Sequence, residues 1–192
     1  MAGILKVDKY QDFNGNDIMT SDGAGNITLS TAMNTAVAAG SNNTPAFQYY
    51  NNGGAAQSIP NGTWTEVTVN TTPLFDTNSL YNSSTNRFTP NVAGKYYFYG
   101  QIYMSGGLSA GFNSILITKN STVTLNSTSE LGFVTRIADG DTALQVSGIL
   151  SMNGTTDYVS VYINQQAGVS KNIGGSGGTS LGFFGGYKLI GV

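Results

Sequence analysis

Apolar and polar positions alternate with a period of two along most of this chain, in short runs broken by Gly, Asn, Asp or Pro. The longest such run is Lys95 to Met104. Side chains of a strand alternate between faces, so Tyr96, Phe98, Ile102 and Met104 share one, with Gly100 as a gap. Lys95, Tyr97, Tyr99, Gln101 and Tyr103 share the other. A sandwich strand hides one face and wets its opposite. Three tyrosines make a large, rigid, amphipathic surface, suited to contact with another chain. The plainer reading is a wet face whose tyrosines pack on their neighbours. Just upstream, Tyr81 opens a polar turn, Arg87-Phe88-Thr89 forms a short strand, and Pro90 to Gly94 turns the chain again.

Other runs predict strands at Ala46–Tyr50, Trp64–Val69, Phe75–Asp76, Ile115–Thr118 and Leu131–Ile137, the last interrupted by Gly132. Leu144–Met152 and Tyr158–Asn164 flank Asn153-Gly154, a strong hairpin signal. A last strand spans Leu181–Val192. Strands about ten residues apart, with no helix of normal length after residue 40, predict a sandwich. Residues 1–40 differ. Short extended pieces (Ile4, Leu5 and Val7; Ile18-Met19; Ile27–Leu29) alternate with turns at Asn14-Gly15-Asn16 and Asp22–Asn26. Thr31–Ala39 predicts one or two helical turns, and Gly40–Thr44 a linker. Strands this short bury too little to stand alone and need partners, from other copies or from a docking protein. Two domains are therefore expected: an extended arm over 1–40 and a sandwich knob over 41–192.

Phe88 and Pro90, followed by Gly94 and Tyr96-Tyr97-Phe98, resemble the central signature of the C1q-like (C1q/TNF-type) jelly-roll family, an aromatic-x-Pro…Gly-x-Tyr-x-Phe pattern. Ile115–Thr118 with its Lys119-Asn120 turn fits the same family. Thr156-Asp157-Tyr158-Val159-Ser160-Val161 keeps the family's aspartate and displaces its glycine. The closing Leu-Gly-Phe-Phe-Gly-Gly-Tyr-Lys-Leu (181–189) resembles the family's last strand. The resemblance covers Pro45 to Val192. It implies an all-β C1q/TNF-like jelly-roll sandwich of ten strands that assembles as a homotrimer. Tyr97, Tyr99 and Tyr103 are then candidates for the trimer interface, with the opposite face of the strand as the alternative. In the arm, Asp22-Gly-x-Gly-Asn-Ile-Thr-Leu-Ser30 resembles N-terminal attachment segments of bacteriophage fibre and other virion proteins.

Composition narrows the function. Charged residues make up 9% of the 192, against about a quarter in ordinary soluble domains; 26 glycines and many Asn, Ser and Thr take their place. Net charge is −2 and no Lys/Arg cluster exists, so nucleic acid is not an expected partner. Without cysteine, no disulfide or thiolate metal site supports the fold. No signal peptide and no membrane-length apolar run appear. Synthesis in the host cytoplasm is expected, with release by lysis or within a particle.

Histidine is absent too, which removes the usual base and metal ligand. The carboxylates Glu66, Asp76, Glu130, Asp139, Asp141 and Asp157 show no pairing suited to hydrolysis, so neither an enzyme nor a bound cofactor is expected. Asp139-Gly140-Asp141 is the one local carboxylate pair and the candidate for calcium; the commoner reading is a solvated turn. Loops at Ser105–Gly111, Ala138–Asp141 and Gln166–Gly178 are the candidates for contacting a host surface glycan. The expected function is a non-enzymatic bacteriophage virion structural protein displayed on the virion surface. It would be a trimeric knob, either a capsid decoration or head fibre or a short tail fibre, held to capsid or tail proteins through residues 1–40. The alternative is a soluble bacterial lectin or adhesion module of the same fold. A glycan-cleaving enzyme is the third reading.

Overall fold

The computed structural model describes residues 7–51, 56–69, 72–105, 111–120, 123, 130–137, 142–174 and 182–191. It divides into two compact units with the boundary between Asn42 and Asn43. Among the described residues, no helix is long and apolar enough to cross a membrane.

The first unit is an antiparallel meander of β1 (Lys9–Gln11), β2 (Asp17–Ser21) and β3 (Ile27–Leu29), followed by α1 (Thr31–Ser41). Its two turns are built alike. Asp12 Oδ1 accepts the backbone N–H groups of Asn14 and Asn16, both at 2.9 Å, while Oδ2 accepts the Asn16 side-chain amide. Asp22 repeats the arrangement with the N–H groups of Ala24 and Asn26 and the amide of Asn26. Such Asx turns set the direction of the chain locally, with no help from a core. Ser30 caps α1 through its Oγ, which accepts the Met33 N–H at 3.2 Å. The helix is longer than the one or two turns expected. Its alanines favour helix strongly enough to carry it through Gly40, into the stretch read as linker. Ile4 and Leu5 lie outside the described residues, and the first strand begins later, at Lys9.

The second unit is a sandwich of β4 (Ala46–Asn51), β5 (Gln57–Ile59), β6 (Thr65–Glu66), β7 (Pro73–Asp76), β8 (Tyr81–Asn82), β9 (Arg87–Phe88), β10 (Gly94–Ser105), β11 (Gly111–Lys119), β12 (Glu130–Ile137), β13 (Thr142–Met152), β14 (Val159–Gln165), β15 (Lys171–Ile173) and β16 (Gly182–Lys188). The larger sheet runs β13-β10-β16-β4-β7, with β15 and β5 continuing from the far end of β10. The smaller runs β12-β11-β14, and β14 is flanked on its other edge by β6 and by β9 with β8. This is the jelly-roll sandwich expected. The described residues hold more strands than the ten implied, because β5, β6, β8, β9 and β15 are short edge pieces. The stretch Trp64–Val69, expected as one strand, pairs regularly only at Thr65–Glu66.

Alternation along β10 places Tyr96, Phe98, Ile102 and Met104 fully inside. The two sheets are clamped by aromatic contacts: Phe47 of the larger stacks on Phe88 of the smaller at 4.0 Å between ring centres, and Phe184 of the larger meets Tyr81 of the smaller edge-on at 6.3 Å. Burying each such ring stabilises the fold by about 1.5–3 kcal/mol. Strand β14 is buried on both faces. The buried Gln165 is fully engaged there, its amide donating to the carbonyls of Ile59 and Val169 and its Oε1 accepting the Ala167 N–H. Gly132 does not interrupt β12. It pairs with Leu116, and a Cβ there would lie 2.7 Å from Leu116 Cδ1.

One expectation fails. Leu144–Met152 and Tyr158–Asn164 do not form a hairpin: β13 pairs with β10 along its whole length, while β14 pairs with β11 in the other sheet. Asn153-Gly154 therefore turns the chain from one sheet to the other. Asn153 Oδ1 accepts the N–H groups of Thr155, Thr156 and Asp157. The Asp157 carboxylate accepts the Asn153 N–H at 2.8 Å and the Asn120 amide, and lies 3.5 Å from Lys119 Nζ. Lys119 and Asn120 end β11, so this corner ties the turn to the smaller sheet. Gly154 has φ +73°, and a Cβ on it would collide with the backbone of Val92 and Ala93.

Candidate self-association face

The odd-numbered residues of β10 form the centre of a four-rung surface on the outer side of the larger sheet. The first rung is Ile149, Tyr97, Tyr187 and Ala46; the second is Ser147, Tyr99, Gly185, Gln48 and Phe75. Gln145, Gln101, Phe183 and Tyr50 make the third, and Ala143 with Tyr103 the fourth. None of these side chains is charged. Lys95, one step before the first rung, is the nearest cation along β10.

Tyr99 sits at the middle. Its ring lies against Gly185, where a Cβ would come within 2.6 Å of Tyr99 Cζ, so glycine is what lets the ring lie down on the sheet. Its hydroxyl donates to Gln48 Oε1 at 2.8 Å. Burial pushes the phenol above its ordinary value, helped by the neighbouring Tyr187 and Tyr97, and keeps it a donor. Tyr97 contacts Tyr99 and Tyr187 with ring centres 6.1 and 5.6 Å apart, and Phe183 meets Tyr99 edge-on at 6.0 Å. Gln145 donates to Gln101 across the third rung. A depression of about 310 Å³ opens between Tyr97, Tyr99, Gln145, Ser147 and Phe183, beside Gly100. Ile149 is 53% and Phe75 39% exposed, and the three tyrosines of β10 are half-buried. The surface is thus pre-organised, greasy and open.

The structure brings Tyr97, Tyr99 and Tyr103 onto this one face and sends the opposite face of β10 into the core. Sequence reasoning missed the partners: Ile149, Tyr187, Phe183, Tyr50 and Phe75. The parity of Gly-Phe-Phe-Gly-Gly-Tyr already separates Phe183 and Tyr187 from the inward Phe184, but only the register of β16 on β10 sets them beside the tyrosines.

Asp139 and Asp141, the candidate calcium pair, lie outside the described residues, as do all of 138–141 and 106–110. Within Gln166–Gly178, Lys171–Ile173 is not loop but strand β15, anchored by the fully buried Ile173. Among the described residues, no three His, Cys, Asp or Glu side chains come together. Asp76 is engaged in the fold, accepting the N–H groups of Leu80 and Tyr81 and the hydroxyl of Tyr49. Asp157 braces the inter-sheet corner.

No protein-family model matches the chain, and no curated protein does. Solved structures do match. The chain is similar to the globular domain of zebrafish complement 1qA protein, with a TM-score of 0.53 and 21% identity over 77% of this chain and 98% of that one. It is similar to Eiger TNF from S. frugiperda, with a TM-score of 0.53 and 14% identity over 77% and 93%. Murine APRIL gives a TM-score of 0.52 and 12% identity over 75% and 98%. At these identities the likeness concerns the fold, and the fold is a C1q/TNF-like jelly roll.

Proposed function

We propose that the jelly roll is a non-enzymatic assembly module in which three copies pack through the four-rung aromatic face, and that the first unit attaches the trimer to a larger particle. The observation that carries this reading is the face itself. Eight large aromatic and aliphatic side chains stand on one sheet surface with no charge among them, and the central one, Tyr99, is held in place by Gly185 and Gln48. Such a surface loses little side-chain entropy on contact and gains by leaving water. Isolated monomers rarely leave so large an apolar patch open. The choice of three copies follows the C1q/TNF-like fold, whose domains commonly assemble as homotrimers, and a ring closes when each copy meets two neighbours.

The particle we propose is a bacteriophage virion. Supporting it are the low charge, the lack of cysteine, and the likeness of Asp22–Ser30 to virion attachment segments. Tail knob and head decoration share this design, and in both the loops at the edges of the sandwich meet the host surface, with a glycan as the candidate ligand. Repetition over many copies would turn weak single contacts into useful avidity. The assembly is tested by the mass of the full chain in sedimentation equilibrium at micromolar concentration. Three chains are expected; one chain would overturn the reading.

A further inference from the structure

Asparagine followed by glycine is a step at which a protein chain modifies itself. The backbone nitrogen of the glycine attacks the asparagine Cγ, ammonia leaves, and a five-membered succinimide forms. Water then opens that ring at either carbonyl, giving aspartate or isoaspartate. The balance is one water consumed, one ammonia released and one carboxyl gained, with no other reactant. Glycine favours the reaction because it has no Cβ to hinder the approach of its nitrogen. The chain has four such steps, at Asn14, Asn52, Asn61 and Asn153, of which Asn52-Gly53 lies outside the described residues.

The other three asparagines are all exposed, so access to water does not separate them. Hydrogen bonding does. At Asn61 the attacking group is occupied, since the Gly62 N–H donates to the Gln165 carbonyl at 2.7 Å. Asn61 Oδ1 accepts the Gly168 N–H at 2.7 Å, and the residue forms a parallel bridge to the fully buried Gln165. At Asn153 it is the side chain that is occupied. Its Oδ1 accepts the N–H groups of Thr155, Thr156 and Asp157, and its amide donates to Thr156 Oγ1 at 2.8 Å. Ring closure at either position must first break bonds that hold the sandwich together. Asn14 differs. Its side-chain amide has no partner among the described residues, and it is tied to its turn through its backbone N–H, which donates to Asp12 Oδ1. The Gly15 N–H donates to the Asp12 carbonyl at 3.0 Å, a bond that opens with the turn. No described side chain of the first unit is buried, and strands of three to five residues open readily without a core beneath them.

We infer that Asn14 is the one of these three that deamidates in the folded chain, and that the sandwich protects Asn61 and Asn153. Each event adds a negative charge to a turn that already carries Asp12. The isoaspartate product also puts one more backbone atom inside the loop closed by the Asp12 N–H and the Asn16 carbonyl, which loosens the register of β1 on β2. The first unit is therefore where the chain ages, whatever the number of copies that assemble.

The test is residue-resolved tandem mass spectrometry on the full chain, incubated at mildly alkaline pH with and without concentrated urea. In urea the three positions should gain one mass unit at similar rates, since each precedes glycine. In the folded chain position 14 should keep about a third or more of its urea rate, while positions 61 and 153 slow about tenfold or more. Fragmentation that distinguishes the two products should find isoaspartate at position 14. Position 14 slowed as strongly as 61 and 153 overturns the inference, and so does conversion at 61 or 153 ahead of it. Aspartate alone at position 14, with no isoaspartate, excludes ring closure by Gly15 and overturns it as well.

Discussion

Replacing Ile149 by glutamate is expected to turn the three-chain assembly into single chains at micromolar concentration, with the sandwich still folded. The position separates the two effects cleanly. Ile149 is 53% exposed in the single chain, so a charge there keeps its water and costs the isolated fold little, within about 0.5 kcal/mol. In a closed interface the same carboxylate is desolvated beside Tyr97, three times over, and the nearest cation along β10, Lys95, lies a full rung away. An unpaired charge at such a site costs several kcal/mol for each copy. Val169→Glu is the control. Val169 is equally exposed, at 59%, but lies between β14 and β15, away from the four rungs, and its substitution should leave the mass at three chains. Sedimentation velocity reads both. If Ile149→Glu also stays trimeric, the assembly uses another surface.

The second large effect concerns the corner that carries the chain from β13 to β14. Asp157→Ala should destabilise the sandwich by about 3 kcal/mol in urea titrations at neutral pH, because it takes the acceptor from the Asn153 N–H and the Asn120 amide and leaves the partly buried Lys119 ammonium with the Ser151 carbonyl but no counter-charge. Burial alone would raise the Asp157 pKa. The Asn120 amide, the Asn153 N–H and the Lys119 ammonium outweigh that and hold the carboxyl below its ordinary value of 3.8. A carboxyl whose folded pKa is depressed contributes stability that is full above the unfolded value and drains as pH falls through the folded one. The wild-type advantage over Asp157→Ala should therefore persist from neutral pH to about pH 5 and shrink below about pH 3.8. A gap of constant size down to pH 2 would mean that Asp157 acts through shape and not through charge.

This corner also shows where the sequence is silent. Asn153-Gly154 between alternating strands is a sound local signal for a turn, and a turn is there. Whether the chain folds back within one sheet or passes to the other depends on which distant strands claim the two arms of the turn. Here β10 takes β13 and β11 takes β14, pairings that no local pattern contains. The parity of β10 was legible for the opposite reason. Alternation is a property of each strand by itself, so the inward Tyr96, Phe98, Ile102 and Met104 could be separated from Tyr97, Tyr99 and Tyr103 without knowing any neighbour. The rest of the face needed the register. Gly185 looks like a weak point in a strand until Tyr99 is seen lying on it, and Gln48 looks like a solvated residue until it receives the Tyr99 hydroxyl. In the first unit the turns were legible because Asp-x-x-Gly-Asn encodes them within five residues. The length of α1 was not, since the glycine read as its end lies inside a helix favoured by the alanines before it.

Assembly through the aromatic face is the claim on which the rest depends, and a photo-cross-link from that face addresses it most directly. Tyr97 of the full chain is replaced by p-benzoylphenylalanine, an aromatic side chain of similar course, and the sample is irradiated and digested. The account predicts cross-links from position 97 of one copy to four-rung residues of another, Phe183, Tyr187 and Ile149 among them, in a species of three-chain mass. A three-chain species in which position 97 links only within its own chain, or to solvent, would contradict it.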